Sequence, residues 1–153
     1  MVRPGLMVYG VVPPGERKAN QKLIRLIRSA LSFHSRVSNL KWISKGISLG
    51  HGRIFTANQK MQIASIQSGY GNSYPPSAPN RANVLIRGQL CVVVGRVSVD
   101  QCLDRCDQPV RSEYRKQSIT APDLAHQIHA IAWHTLASIT YRVPRIYRAV
   151  CAS

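Results

Sequence analysis

The first residues that suggest chemistry are the cysteines and the histidines that follow two of them. Cys102 and Cys106 could join His126 or His129 as the thiolate and imidazole ligands of a zinc ion. The four cysteines of the chain, however, lack paired CxxC spacing and are too sparse for a secreted disulfide scaffold. Thiols without ligands are common buried residues. We therefore assign no metal ligands.

The second candidate chemistry is electrostatic. The chain carries 21 Lys and Arg against 6 Asp and Glu, a net charge of +15. This balance fits an acidic partner such as RNA, DNA or an anionic membrane face. Most basic residues are scattered and no nucleic-acid motif accompanies them. One cluster interleaves with apolar residues at helical spacing and predicts a basic amphipathic helix; its cations are Arg17, Lys18, Lys22, Arg25 and Arg28. This cluster is typical both of the solvent-exposed face of an ordinary helix and of a helix that binds an acidic partner.

Length and composition indicate one folded domain. At 153 residues with 44% hydrophobic content, the chain can bury a core. No apolar run approaches the ~18 residues of a membrane span, and no basic-plus-apolar leader precedes the first strand. We therefore expect a soluble cytoplasmic protein with no membrane partner.

The elements that must position any site are mostly strands, because apolar residues alternate over several short segments. We predict strands near 31–41, 61–67, 83–87 and 90–98, the last two joined by a tight turn at 87–89. Thr120 as N-cap with Asp123 three residues later predicts a helix near 121–132. A last strand is expected before Pro144. The predicted fold class is mainly β with one or two helices.

Five segments give the chain a family resemblance. They are VRPGLMVYG at 2–10, GHGRIFTA at 50–57, GYGNSYPPSAPN at 69–80, GRVSVDQ at 95–101 and ITYRVPRIY at 139–147. In this order they resemble signature segments of the alanine racemase family. That family joins an N-terminal (β/α)₈ barrel, which holds pyridoxal 5'-phosphate, to a β-barrel-like C-terminal domain. The resemblance implies that residues 29–153 form such a C-terminal domain. Residues 1–28 would be a remnant of the barrel end plus a basic helical linker, with the rest of the barrel missing.

The resemblance also implies cofactor contacts. Arg3 matches the arginine that hydrogen-bonds the pyridine nitrogen, where a fixed cation weakens the electron sink and favours racemisation over transamination. Gly5 and Leu6 match positions whose backbone N–H groups hold the phosphate. Tyr141 matches a tyrosine whose hydroxyl reaches the same phosphate. We expect that this chain alone does not bind the cofactor.

The catalytic positions depart from the family pattern. Racemisation uses two bases on opposite faces of the substrate, a lysine and a tyrosine. The lysine belongs to the barrel and has no counterpart here. His51 stands where the family has the tyrosine; histidine can act as a base, but its side chain is shorter. We assign His51 to the catalytic position while expecting it to have drifted from that role.

The substrate segments are partly retained. The resemblance assigns Tyr70, Arg96, Val99 and Asp100 to substrate binding, with the backbone N–H of Val99 meeting the substrate carboxylate. The surrounding segment has changed, because Asn72, Ser73 and Pro76 replace an aspartate, a glycine and an arginine.

Two functions are therefore weighed. One is an alanine racemase C-terminal fragment that interconverts L- and D-alanine for peptidoglycan only when a barrel is supplied. The alternative is a non-catalytic remnant or a basic module that binds nucleic acid or another acidic partner. Because family enzymes are homodimers, the exposed site face also predicts self-association.

Overall fold

The computed structural model describes residues 1–12, 26–75, 82–110 and 117–147. The seven strands of this part are β1 Val37–Ile43, β2 Ser48–Leu49, β3 Phe55–Thr56, β4 Met61–Ile66, β5 Asn83–Ile86, β6 Gln89–Val94 and β7 Cys102–Cys106. Its two α-helices are α1 Ala121–Gln127 and α2 Ala132–Ala137. Three short 3₁₀ turns lie at Gly5–Tyr9, His51–Arg53 and Tyr70–Asn72. The mainly β fold class is confirmed.

Five strands form one antiparallel sheet in the order β1-β4-β7-β6-β5, and β2 pairs with β3 in a separate hairpin. Strand β4 lies between β1 and β7, and nearly all its residues are buried. Its side chains alternate between the two faces of the sheet, as strand geometry requires. Met61 and Ile63 pack on one face, and Ala64 and Ile66 on the other.

Each face of the sheet carries its own hydrophobic core. The first core lies under α1 and includes Cys91, Val93, Cys102, Cys106 and Ile128. The second core lies under the β2–β3 hairpin, and its buried members are Ile43, Ala57, Met61, Ile63 and Val94. A sheet covered on both sides explains why β6 carries the continuous apolar run LCVVV rather than alternating with polar residues.

Most predicted strands exist, with shifted ends. The first strand begins at Val37 rather than near residue 31, and β4 and β5 match their predicted ranges. The turn between β5 and β6 is confirmed at Arg87 and Gly88, whose φ angles of 51° and 75° are both left-handed. Two left-handed residues in a two-residue loop match the twist of a β-hairpin.

Strand β7 is absent from the sequence prediction, although it lies at the centre of the sheet between β4 and β6. The predicted strand at 90–98 was also too long. Strand β6 ends at Val94 because Gly95 has φ 68°, a conformation that breaks the strand. The chain then turns through residues 95–101 and returns as β7.

The helix predicted over 121–132 starts where expected and ends early. The Thr120 hydroxyl accepts a hydrogen bond from the Asp123 N–H, and Asp123 accepts one from the Thr120 N–H, so the capping box is confirmed. The helix ends because His129 adopts φ 55°. The Ala130 N–H then donates to the carbonyl of Ala125 at 2.8 Å, and the His129 N–H donates to the carbonyl of His126 at 3.2 Å. This is the Schellman pattern of a helix C-terminus.

We expect His129→Gly to raise the free energy of unfolding by about 0.5–1 kcal/mol, because glycine adopts the left-handed conformation of a Schellman motif without a Cβ penalty. Urea unfolding followed by circular dichroism measures the change. His126→Gly is the matched control: it lies inside the same helix and should destabilise by about 1 kcal/mol. Equal destabilisation by both variants would contradict the Schellman assignment.

The strand predicted before Pro144 is wrong. Residues 138–147 form turns and coil. The Arg145 guanidinium donates to the carbonyls of Ile139, Thr140 and Val143, which removes the acceptors that a strand partner would use. The predicted basic helix falls mostly on residues 13–25, outside the described residues; Arg28 is described and is not helical. Within the described ranges, no helix has the length and apolar character needed to cross a membrane.

Candidate functional site

The 50–53 turn and the 95–101 loop approach each other at two glycines, Gly50 and Gly95. A Cβ on Gly50 would lie 3.3 Å from the Cα of Gly95 and 3.4 Å from the backbone nitrogen of Arg96. Gly50 has φ 75° and ψ 172°, a region that only glycine adopts readily. The crossing sets His51 directly beside the loop that carries Arg96. Two glycines at the crossing therefore let the 50–53 turn approach the 95–101 loop.

We expect Gly50→Ala to lower the free energy of unfolding by about 2 kcal/mol, because strain at φ 75° adds to the close approach of Gly95. Gly46→Ala is the matched control. Gly46 has φ 88°, but nothing lies within 4 Å of an added Cβ, so only strain of about 1 kcal/mol is expected. Denaturant unfolding of both variants gives the difference, and equal losses would show that the crossing is not tightly packed.

A second pair of loops is joined by backbone hydrogen bonds. The Tyr70 N–H donates to the carbonyl of Ser98 at 3.0 Å, and the Gly71 N–H donates to the carbonyl of Val99 at 2.9 Å. A Cβ on Gly69 would overlap those same two carbonyls, so the approach requires glycine. The 69–74 segment is thereby fixed against the 95–101 loop.

The C-terminal segment completes the arrangement. The Thr140 hydroxyl donates to the carbonyl of Gly71 at 2.8 Å, and the Thr140 N–H donates to the Ser73 hydroxyl at 2.6 Å. Arg142 pairs with Asp100 at 2.6 Å between Nη2 and Oδ1. We call the segments 50–53, 69–74, 95–101 and 138–142 the loop cluster. They follow different strands and helices, yet each contacts at least one other.

The loop cluster presents polar groups to solvent. The side chains of His51, Arg96 and Asp100 are exposed, and Tyr70 is 48% exposed. The backbone N–H of Val99 has no hydrogen-bond partner in the described part of the chain. The turn that carries it is closed by the Ser98 N–H, which donates to the carbonyl of Gln101. An unpaired N–H in an exposed turn is suited to bind an anion.

The two tyrosines of the 69–74 segment have different environments. Tyr74 is 8% exposed and packs in the first core, whereas Tyr70 faces solvent. Burial raises the pKa of Tyr74 above its ordinary value, and the nearby Cys102 and Asp104 raise it further. Tyr74 is therefore a structural residue, and only Tyr70 is available to a ligand.

The zinc arrangement considered from the sequence does not form. Cys102 and Cys106 are buried in the first core, while His126 and His129 are exposed. Across residues 1–12, 26–75, 82–110 and 117–147, no three histidine, cysteine or acidic side chains lie close enough to hold a metal ion.

Comparison with known proteins identifies the family. The profile of the family "Alanine racemase, C-terminal domain" matches residues 30–147. The chain belongs to this family. An alanine racemase of Symbiobacterium thermophilum is 37% identical over 157 residues, which cover 96% of this chain and 41% of that protein. A shorter one, of Piscirickettsia salmonis, is 29% identical and matches over 96% of this chain and 90% of its own length.

A solved structure agrees with the sequence comparison. The biosynthetic alanine racemase of Pseudomonas aeruginosa superposes with a TM-score of 0.79 at 27% identity, covering 95% of this chain and 41% of that one. The chain therefore spans about two-fifths of the length of the first relatives it matches.

In this racemase C-terminal domain the four residues assigned to the cofactor lie on two segments, three of them in the N-terminal segment and Tyr141 in the segment 138–142. Tyr141 is 92% exposed, and Arg3 is exposed in the N-terminal segment. That segment packs through Tyr9, whose ring meets Trp133 edge-on at 6.1 Å between centroids. In the described structure, no hydrogen bond or ion pair joins Arg3, or its neighbours at positions 5 and 6, to the loop cluster.

Sequence reasoning missed three residues that build the loop cluster of this racemase C-terminal domain. Arg142 holds Asp100, Thr140 holds Gly71, and Ser73 bonds both Thr140 and the carbonyl of Ser138. Ser73 has φ 79°, which agrees with glycine being the family residue there. The strand predicted before Pro144 gave no role to Thr140 and Arg142, the two polar side chains beside Tyr141.

Proposed function

We propose that this chain contributes the C-terminal side of an alanine racemase active site. The observation that carries the proposal is the loop cluster itself, because its loops contact one another and carry His51, Tyr70, Arg96, Val99 and Asp100. These are the residues that the family resemblance assigns to catalysis and substrate binding. The whole reaction, the interconversion of L- and D-alanine, needs groups that these residues do not provide.

In this proposal the substrate carboxylate binds at the 98–101 turn. The unpaired N–H of Val99 donates to it, and Arg96 adds a positive charge nearby. Arg142 cannot serve the same purpose freely, because it is already paired with Asp100. That ion pair instead positions the turn, and Tyr70 limits the space in front of it.

The cofactor fits this chain only at its phosphate end. Gly5 and Leu6 begin a 3₁₀ turn, so their N–H groups have no hydrogen-bond partner in the described residues, and nothing lies within 4 Å of a Cβ placed on Gly5. Two free amides beside open space suit a phosphate. Pyridoxal 5'-phosphate supplies an electron sink for the α-carbon when bound. We assign the remaining contacts, from Arg3 and Tyr141, to an assembled enzyme.

We further propose that residues 29–153 are the C-terminal-like domain and that residues 1–28 belong to the barrel side of the boundary. The match over residues 30–147 supports this division. A dimer is part of the proposal, because the exposed loop cluster needs a covering surface. The acidic-partner alternative gains no support, since its basic cluster lies mostly outside the described residues.

The test is a fusion that places this chain after the barrel of the Symbiobacterium relative, ending where that relative's match begins. We expect the fusion to bind pyridoxal 5'-phosphate, which is detected by the absorption of the cofactor. We also expect it to bind alanine, and a carboxylate analogue of alanine should compete for the same site. Asp100→Ala should weaken alanine binding by releasing the 98–101 turn. A folded fusion that holds the cofactor but does not bind alanine would overturn the proposal.

The 153-residue chain on its own is expected not to racemise alanine. None of its six lysines matches the family's Schiff-base position, so no stable adduct with pyridoxal 5'-phosphate should form. Purified protein is incubated with the cofactor and reduced with borohydride, and the adducts are counted by mass spectrometry. A stoichiometric adduct on one lysine together with racemase turnover would contradict this expectation.

A further inference from the structure

Two buried thiols face each other inside the first core, far from any role in the proposed reaction. The Sγ atoms of Cys91 and Cys106 lie 2.8 Å apart, with Cys91 donating a hydrogen bond. Their residues are 0% and 1% exposed. Both cysteines are reduced. No other pair of thiols in the described residues is in contact.

The strand register explains the contact. Strands β6 and β7 are antiparallel, with Val92 opposite Arg105, so the next position along sets Cys91 opposite Cys106. Directly opposed residues of antiparallel strands have Cα atoms about 4.5–5.5 Å apart. This separation lies within the roughly 4.4–6.8 Å range that disulfides span. The backbone therefore needs no rearrangement for a bond between the two sulfur atoms.

We propose that Cys91 and Cys106 are an oxidation site at which a peroxide converts the two thiols into a cross-strand disulfide. The Cys106 thiolate attacks one oxygen of hydrogen peroxide and forms a sulfenic acid, and the O–O bond breaks to release hydroxide, which takes up a proton. The Cys91 sulfur then attacks the sulfenic sulfur. The S–O bond breaks and water leaves with the Cys91 proton. Two thiols are oxidised by two electrons, and one peroxide is reduced to two waters.

The electrostatics give the order of attack. The hydrogen bond from Cys91 holds the pKa of Cys106 below its ordinary value, although burial opposes this, and the same bond together with burial raises the pKa of Cys91. Cys106 is thus the better nucleophile and Cys91 the resolving thiol. Hydrogen peroxide is close to water in size, so brief opening of the sheet is enough to admit it.

Cys102 is the internal control for Cys106, because both lie on β7, face the first core and are equally buried. Its thiol contacts Asp104 Oδ2 at 3.5 Å rather than another thiol. Burial and that carboxylate raise its pKa, so it should resist oxidation. The bond would also join β6 to β7 at the end of their pairing that lies away from the 95–101 loop.

The experiment treats the folded Cys151→Ser chain with hydrogen peroxide and maps its cysteines by mass spectrometry without reduction. We expect a loss of two hydrogen masses, a Cys91–Cys106 cross-link, a free Cys102, and full reversal by dithiothreitol. In the Cys91→Ser variant, dimedone should label Cys106 several-fold more than Cys102. The Cys102→Ser variant should keep the cross-link.

A denatured control separates native pairing from chance pairing. In concentrated guanidinium chloride the nearest cysteines in sequence, Cys102 and Cys106, should pair most. The comparison of the cross-links formed in the native and in the denatured Cys151→Ser chain is sufficient, and no further substitution is needed. The proposal is overturned if the native chain gives that same pairing, if its three thiols oxidise at equal rates, or if no cross-link forms.

Discussion

The Asp104→Val variant is expected to have a free energy of unfolding about 4 kcal/mol higher than the parent chain at pH 8. Asp104 is 0% exposed at the centre of β7, opposite Ala64 on β4 and Val93 on β6. Its Oδ1 has no hydrogen-bond partner in the described residues, and Oδ2 receives only the weak thiol donor of Cys102. Burial raises the pKa of Asp104 from 3.8 to about 7. Valine keeps a similar size and favours strands.

The effect has a defined pH dependence. Between the unfolded pKa of 3.8 and the folded pKa of about 7, the folded state binds a proton at Asp104 that the unfolded state has lost. The parent chain therefore loses stability as pH rises through this window, at up to about 1.4 kcal/mol per pH unit, and the loss is complete above pH 7. Near pH 4 the carboxyl is neutral in the fold, so Asp104→Val should gain less than about 1 kcal/mol there.

Urea unfolding at pH 4 and pH 8 measures both differences. Asp107→Val is the matched control, because Asp107 follows the same strand but is exposed in its ion pair with Arg105. Its removal should change stability by less than about 1 kcal/mol at either pH. An equal gain from Asp104→Val at both pH values would show that ionisation of Asp104 is not what destabilises the fold.

Asp104 also explains why the sequence did not reveal the central strand. Residues 102, 104 and 106 all point into the first core, so β7 has a clear period of two in burial. The middle position is an ionisable residue, and a charge is the usual mark of a solvent-facing position. Strands β4, β5 and β6 were predictable because their inward positions carry Val, Ile, Ala or Cys. A hydrophobic pattern cannot identify a strand whose buried position is polar.

The candidate site was predictable to the extent that it is local in sequence. Motifs named His51, Tyr70, Arg96 and Asp100, and all four lie in the loop cluster. Two of the bonds that hold the loops together, Arg142 to Asp100 and Thr140 to Gly71, cross 42 and 69 positions of sequence. No short-range pattern reports such a contact. The helix end at His129 was missed for a related reason, since glycine is the residue that usually marks that conformation.

In the fusion with the Symbiobacterium barrel, His51→Tyr is expected to raise the racemisation rate about a thousandfold. His51 begins the 51–53 turn beside the 95–101 loop, so a longer side chain there extends over the proposed substrate position. Racemisation needs one group to remove the α-proton and another, on the opposite face, to return it. A tyrosine hydroxyl reaches further from the backbone than an imidazole nitrogen, and a positioned base of this kind contributes about 10²–10⁴-fold.

Exchange of the α-proton with deuterated solvent separates a missing base from a general defect. With one base in place, the fusion should exchange the α-proton of one alanine enantiomer and leave the other unchanged. The His51→Tyr fusion should exchange both. His34→Tyr is the matched control, because His34 is exposed, bonds Ser32 and lies outside the loop cluster, so the rate of this variant should not change. If the parent fusion already exchanges both enantiomers equally, His51 itself acts as the second base, and the shorter side chain is no obstacle.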